Sequence, residues 1–335
     1  MSIITSHPNW VLRHAIELDH HAKFCGEFFR ASSERRHVIA AYLSANPPSE
    51  CEASLVAQFL LRSGHNDILC AAYGKVPSGL RRALRRSGAV VHAEHFYSLL
   101  VEMLATGNNH IARCISQVPH LDLDTLLTIN VLPPTACSPN LVQAVMGKAE
   151  AEDVATAFAV LAERGVDADW LAACLRDVKT QSALSSVFQK AARRAKAPKH
   201  PVPASELYRP IETGEELFSV AREFRNCLRN YTCSLLDEGQ GNAFAIATRG
   251  EHRTVVHLVR ERSGWKLEGL FKPRNRRPSR PTREWIEAYL EEHGIIVERR
   301  KPRRPSRWDS LHNIICGDLL DFHLGFDVEE LEGVE

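Results

Sequence analysis

The feature that most constrains the fold is a proline-rich stretch in the second half of the 335-residue chain. Lys196–Pro203 reads K-A-P-K-H-P-V-P, with three prolines in eight residues. Because proline fixes φ and lacks a backbone donor, this stretch cannot continue a helix or form a central strand. The hydrophobic pattern also changes across it, from a helical period to strand-like alternation. The sequence therefore predicts a helical domain over residues 1–195, a linker over 196–205 and a second domain over 206–297.

The first domain is predicted to be an all-α array. Its apolar residues recur with a helical period, and the periodic segments are separated by Pro, Gly and Asn. Short connections favour antiparallel neighbours, and no fixed repeat period is apparent. Such an array is a candidate scaffold for a protein partner. The predicted helices are Ser33–Leu43, Glu52–Arg62, Gly79–Arg86, Ala93–Leu104, Ala151–Glu163 and Ser182–Arg194.

The second domain is predicted to be a small α+β module. Thr213 is an N-cap residue for a helix that continues to about Glu238 and ends at Gly239. Val-, Ile-, Thr- and aromatic-rich runs with glycine-containing connections then predict a three-stranded antiparallel sheet flanked by helices. Thr282 is expected to cap the closing helix. The predicted strands are Ala243–Thr248, Thr254–Arg260 and Trp265–Phe271, and the closing helix is Arg283–His293.

These motifs, in this order, resemble the PcfJ-like domain family over roughly residues 206–296. The family shows a Cys followed four residues later by Tyr, then a Gly, two or three strands, and an Asn-x-x-Pro. The matching positions are Cys227, Tyr231, Gly239, and Asn275 with Pro278. The resemblance implies a bacterial protein of a mobile-element or phage-related system. Many relatives place His before the Cys, whereas this chain has Asn226, and no established reaction accompanies the family.

One functional hypothesis is a cysteine-dependent enzyme of unknown substrate. Cys227 would be the nucleophile, His257 its base, and Glu268 the group that orients the base. Strand alternation puts His257 and Val256 on opposite faces, and we expect the Cys227 helix to cover the Val256 face. His257 would then point away from the thiol, so catalysis is disfavoured. The cysteine and histidine spacing also does not match a zinc site, so no metal or cofactor is predicted.

The better-supported hypothesis is DNA or RNA binding by the second domain. Residues 190–307 hold 26 Lys or Arg against 15 Asp or Glu, and clustered cations neutralise phosphates. Asn275 lies within the first cluster, where it could hydrogen-bond a base edge or a backbone oxygen. The first cluster is Lys272, Arg274, Arg276, Arg277, Arg280 and Arg283, and the second is Arg299, Arg300, Lys301, Arg303, Arg304 and Arg307.

The segment after the basic block has the opposite charge. Residues 308–335 contain eight Asp or Glu and no Lys or Arg. They are expected to form an acidic amphipathic tail that lies across the basic block and restrains non-specific binding. A purely structural module on a helical adaptor is the third hypothesis. Neither a membrane span nor a signal peptide is predicted, which favours a cytoplasmic protein.

Overall fold

The computed structural model describes residues 10–49 and 52–298. Of these, the residues within Met1–Val160 and Asp167–Phe188 form one compact unit, and those within Leu161–Val166 and Gln189–Glu335 form another. The first unit is helical, and the second combines helices with one antiparallel sheet. The predicted α+β class is therefore confirmed.

All six predicted helices are present, and their ends differ from the prediction by at most three residues. None of the described helices combines the length and apolar character needed to cross a lipid bilayer. The helices that precede the sheet are α1 Trp10–Ala22, α2 Phe24–Arg30, α3 Ser33–Ala45, α4 Ala53–Arg62, α5 His65–Tyr73, α6 Leu80–Arg86, α7 Glu94–Ala105, α8 Asn109–Gln117, α9 Leu123–Val131, α10 Pro139–Ala144, α11 Lys148–Glu163, α12 Ala168–Arg176 and α13 Gln181–Arg194.

Helix α3 is central to the first unit, where it packs against α5, α6 and α7. Its buried residues include Val38 and His37. The Nδ1 atom of His37 lies 3.0 Å from Tyr97 Oη, and its Nε2 atom lies 3.1 Å from Gly88 O. Burial lowers the pKa of His37 to about 4, so the ring is neutral at pH 7. The two hydrogen bonds tie α3 to α7 and to the loop before it.

The sheet of the second unit has four antiparallel strands in the order β1-β2-β3-β4. The three predicted strands are present, and β1 adds a fourth at the edge beside β2. It was missed because it has only three residues and includes Pro210, which is tolerated in a sheet chiefly at an edge. The strands are β1 Tyr208–Pro210, β2 Asn242–Arg249, β3 His252–Glu261 and β4 Gly264–Phe271.

Both faces of this sheet are covered by helices. Helix α16, Arg280–Glu292, packs its Ile286 and Leu290 side chains on the face that carries Val256. The opposite face carries Phe244 and is covered by a different set of helices, α14 Gly214–Phe224 and α15 Thr232–Leu236. The proline-rich segment predicted as a linker packs on the α16 side, where Val202 is fully buried.

The single helix predicted from Thr213 to Glu238 is broken into three pieces, so that prediction is wrong. Helix α14 ends where Arg225 adopts the left-handed conformation, with φ 52° and ψ 49°. Asn226 is extended, and a 3-10 helix, Cys227–Tyr231, follows before α15. The predicted start of the closing helix is also wrong, because α16 begins at Arg280 and Ser279 is its N-cap residue.

Candidate nucleic-acid interface and the neighbouring cysteine segment

The loop after β4 forms a tight turn that exposes arginines. The backbone N–H of Lys272 donates to the carbonyl of Arg276 at 2.7 Å, which closes the turn. Arg274 and Asn275 both have positive φ, at 60° and 57°. Asparagine tolerates this region, whereas arginine is disfavoured there by roughly 1 kcal/mol. The Arg274 and Arg276 side chains are exposed as a result.

The cations of the first cluster differ in their partners. Arg280 pairs with Glu284 at 2.9 Å and Arg283 pairs with Glu287 at 2.7 Å, one turn along α16. Arg277 also has an interaction of its own. Within residues 10–49 and 52–298, no carboxylate pairs with the side chains of the remaining three, which leaves them available to an external anion. These three are Lys272, Arg274 and Arg276.

The N-terminus of α16 adds a second source of positive potential. Ser279 makes no side-chain cap, and the first turn contains no Asp or Glu. Arg280 and Arg283 occupy that turn, although acidic residues are favoured at the positive end of a helix dipole. Unsatisfied N–H groups, a positive helix end and nearby guanidinium groups are the arrangement that binds phosphate at many helix N-termini.

Two further arginines, Arg222 and Arg225, lie at the same end of the sheet and were not identified from the sequence. The carboxylate of Glu223, in the last turn of α14, pairs with Arg253 on β3. Arg253 lies two residues before Val255, whose cross-strand partner is the last residue of β4. The C-terminal turn of α14 is therefore beside the loop, as the packing of α14 on Pro273–Asn275 also shows. This turn carries Arg222 and Arg225, both exposed.

Arg222 and Arg225, together with the six cations of the first cluster, form a set of eight that we call the basic surface. The six were identified from the sequence because they lie close together along the chain. Arg222 and Arg225 are about 50 residues away in sequence, so only the fold could identify them. Asn275 is half-buried, and its Oδ1 atom is buried without a hydrogen-bond partner among the described residues. The predicted contacts Arg300, Arg303 and Arg304 lie outside the described residues. The basic surface comprises Arg222, Arg225, Lys272, Arg274, Arg276, Arg277, Arg280 and Arg283.

The cysteine segment, Cys227–Tyr231, covers the face of the sheet opposite to the one predicted for it. Leu228 and Tyr231 pack with Phe244 and Val255, and residues of this face alternate with Val256 along β3. His257 therefore lies on the same face as the segment that carries Cys227, and its ring centroid is 5.7 Å from that of Tyr231. The prediction that His257 points away from Cys227 was therefore wrong. Both faces of the sheet are apolar, so strand alternation could not show which face the cysteine segment covers.

His257 is held by its neighbours in a neutral form. Its Nε2 atom lies 2.8 Å from Asn242 Oδ1, and its ring stacks on Phe244 with centroids 4.4 Å apart. Burial lowers the pKa of His257 to about 3, since the imidazolium would lose its hydration. A base this weak removes a proton from a thiol inefficiently at pH 7.

Each of the three predicted catalytic residues nevertheless interacts with Tyr231. Burial, with smaller contributions from the Cys227 thiol and the Glu268 carboxylate, raises the pKa of Tyr231 to about 12. Glu268 is the extra residue of a β-bulge, since Leu267 pairs with Leu258 and Gly269 pairs with His257. The bulge leaves Glu268 exposed, and no hydrogen bond joins it to His257 in the described structure. Gly239, the remaining motif residue, donates its N–H to Asp237 in the turn after α15.

Comparison with models of known protein families, with curated proteins and with solved structures finds no match for this chain. The PcfJ-like resemblance remains a prediction that rests on Cys227, Tyr231, Gly239 and Asn275.

Proposed function

We propose that the second unit binds DNA or RNA through the basic surface. The observation that carries the proposal is a set of cations, Lys272, Arg274 and Arg276, that have no carboxylate partner in the part of the chain that the structure describes. They lie beside a helix N-terminus whose first turn has no acidic residue. Protein surfaces usually intersperse charges of both signs, so three neighbouring cations without acidic partners in the described structure favour an anionic partner. Phosphate contacts position a protein on nucleic acid without reading its sequence, and this surface supplies such contacts.

The PcfJ-like resemblance adds a setting to this proposal. It suggests a protein of a bacterial mobile-element or phage-related system. In such a system, the helical first unit could bring a protein partner to the nucleic acid that the second unit holds. This setting is a proposal that depends on the short motifs alone.

Charge reversal tests the binding proposal. R274E/R276E should weaken binding to short DNA and RNA, measured by fluorescence anisotropy as a function of salt. Each phosphate contact contributes about 0.9 to the salt slope on duplex DNA and about 0.7 on single strands, so losing two contacts lowers the slope by roughly 1.4 to 1.8. The matched control is R260E/R262E, which reverses two exposed arginines at the opposite end of β4, one near the end of β3 and one in the turn between β3 and β4. Equal effects of the two double variants would contradict a defined interface.

Thiol chemistry at Cys227 is the second candidate, because Cys227, His257 and Glu268 all lie around Tyr231. A reactive thiol would be alkylated by iodoacetamide faster than the exposed Cys233 on the neighbouring helix α15. His257→Gln would then slow Cys227 and leave Cys233 unchanged. Mass spectrometry of each peptide gives both rates in one experiment, and a Cys227 rate at or below that of Cys233 would exclude this candidate.

A further inference from the structure

The basic surface has a counterpart of opposite charge in its own chain. Residues 308–335 carry eight carboxylates and no Lys or Arg. Glu284 and Glu287 are already engaged by Arg280 and Arg283, and Glu223 is engaged by Arg253. Lys272, Arg274 and Arg276 have no carboxylate partner among the described residues. These three cations are therefore uncompensated in the described part of the second unit, and residues 308–335 supply charge of the opposite sign.

The distance between the two regions is within reach of the chain. The last described residues lie beside the start of β4, where Leu267 N–H donates to Ile296 O and Glu298 pairs with Lys266 at 2.9 Å. Lys272 is five residues after Leu267 along the strand, a path of about 17 Å. Residues 299–307 can span up to roughly 30 Å when extended. A segment that begins at residue 308 can therefore lie on the basic surface without any change in the fold.

We propose that residues 308–335 bind the basic surface of the same molecule and compete there with nucleic acid. The competition rests on the proposed function, whereas the intramolecular contact does not. The carboxylates take the places that phosphates would occupy, so the segment suppresses weak, non-specific binding more than tight binding. Because both interactions are electrostatic, salt weakens both.

Zero-length crosslinking of the full chain tests the contact directly. A carbodiimide joins an amine to a carboxyl group with no spacer, so the two must come into direct contact, and Lys272 is the only lysine of the basic surface. Peptide mapping of the monomeric product should find Lys272 joined to carboxylates of residues 308–335. The ion pair between Lys266 and Glu298 is the internal positive control. R274Q/R276Q should lower the Lys272 yield several-fold and leave the control unchanged.

Two crosslinking results would overturn the contact. The first is a Lys266–Glu298 product with no product at Lys272, including the case in which the segment joins only Lys301 of the adjacent basic stretch. The second is a Lys272 product found only in crosslinked dimers, which would make the contact intermolecular.

The competition has its own measurement. A full-length variant in which all eight carboxylates are neutralised, Asp to Asn and Glu to Gln, should bind short DNA or RNA several-fold more tightly than wild type at low salt. The difference should shrink as salt is added. If crosslinking succeeds and neither protein binds nucleic acid, the proposed function fails and the contact stands. If both bind equally and Lys272 is not crosslinked, the inference fails and the proposed function stands.

Discussion

The two faces of the sheet are buried to a similar extent but covered in different ways. On one face, α16 is a single helix of 13 residues that runs from Arg280 to Glu292. On the other face, the cover consists of three short pieces, α14, the 3-10 helix Cys227–Tyr231 and α15. The continuous face contributes Ile286, Leu290 and Tyr208 to its core, whereas the divided face includes a buried imidazole, His257.

This difference indicates where the candidate functional residues lie. A break in a helix leaves N–H and C=O groups that side chains must satisfy, and it turns the chain so that new side chains face the sheet. Arg225 and Cys227 occupy such a break, and α14 ends beside the loop that carries Arg274. The continuous helix carries cations only at its own N-terminus. Both candidate functions therefore lie at the divided face or at the edge next to it.

The largest expected effect comes from removing the ring that packs on His257. Phe244→Ala deletes a fully buried side chain and should lower the free energy of unfolding by about 3 to 5 kcal/mol. It should also let water reach His257, whose ring stacks on Phe244, and raise the pKa of His257 toward its ordinary value. Urea denaturation measures the first effect, and NMR titration of the imidazole measures the second.

The control for this prediction is on the continuous face. Leu290→Ala removes an equally buried side chain under α16, at a cost of about 2 to 5 kcal/mol, but should leave the pKa of His257 at about 3. Phe244→Leu provides a milder test if the alanine variant does not fold. A pKa of His257 that rises equally in the variants of both faces would mean that general loosening, and not the Phe244 ring, controls it.

The second expected effect is acid sensitivity that originates on the divided face. The pKa of His257 is about 3 in the folded protein, against about 6.5 in an unfolded chain. Between these values the unfolded chain binds a proton that the folded protein does not, so stability falls as pH falls through this window. From pH 6.5 to 4.5 this one group should cost roughly 2 to 3 kcal/mol.

One substitution distinguishes the contribution of His257 to acid sensitivity from that of other histidines that titrate between pH 6.5 and 4.5. His200, on the continuous face, also has a pKa lowered by burial, to about 4. His257→Phe keeps an aromatic ring against Phe244 and removes the titration, so its stability should decline less steeply between pH 6.5 and 4.5. Urea denaturation at several pH values gives the slope, and an unchanged slope in the variant would assign the acid sensitivity to groups elsewhere.

The sequence predicted the strands and helices better than it predicted how they pack. Hydrophobic period and turn residues were sufficient for β2, β3, β4 and six of the helices that precede the sheet. The face covered by the cysteine segment could not be predicted, because Ala243–Ala247 is buried on both faces. A strand buried on both faces has no polar side to identify the outside, so alternation could not decide which helix covers His257.

The break after α14 was also beyond the reach of local sequence patterns. Arginine is a good helix former, so nothing in the sequence marks Arg225 as a left-handed residue. Asn226 is the visible signal, since its Oδ1 atom accepts from the N–H of Leu228 at 3.3 Å and starts the 3-10 helix. The cation cluster at Lys272–Arg283 was recognisable from composition alone. Its extension to Arg222 and Arg225 depends on tertiary packing.

The smallest expected effect tests how the helices of the two faces end. Helix α16 is followed closely by Gly294, with φ 75°, whereas α14 ends at Arg225, with φ 52°. Glycine adopts positive φ without strain, and other residues are disfavoured there by about 1 kcal/mol. Arg225→Gly should therefore raise the free energy of unfolding by about 0.5 to 1 kcal/mol, and Gly294→Ala should lower it by about 1 kcal/mol. Urea denaturation of both variants provides the measurement.

The same substitution distinguishes a structural role of Arg225 from a binding role. Arg225→Gly removes one cation of the basic surface, so nucleic-acid affinity and its salt slope should fall while stability rises. Arg225→Asn is the matched variant, because asparagine tolerates positive φ and also lacks the charge. If both variants are more stable and bind as tightly as wild type, Arg225 does not contact nucleic acid. If both are more stable and bind less tightly, the strained end of α14 is retained for the charge that it presents.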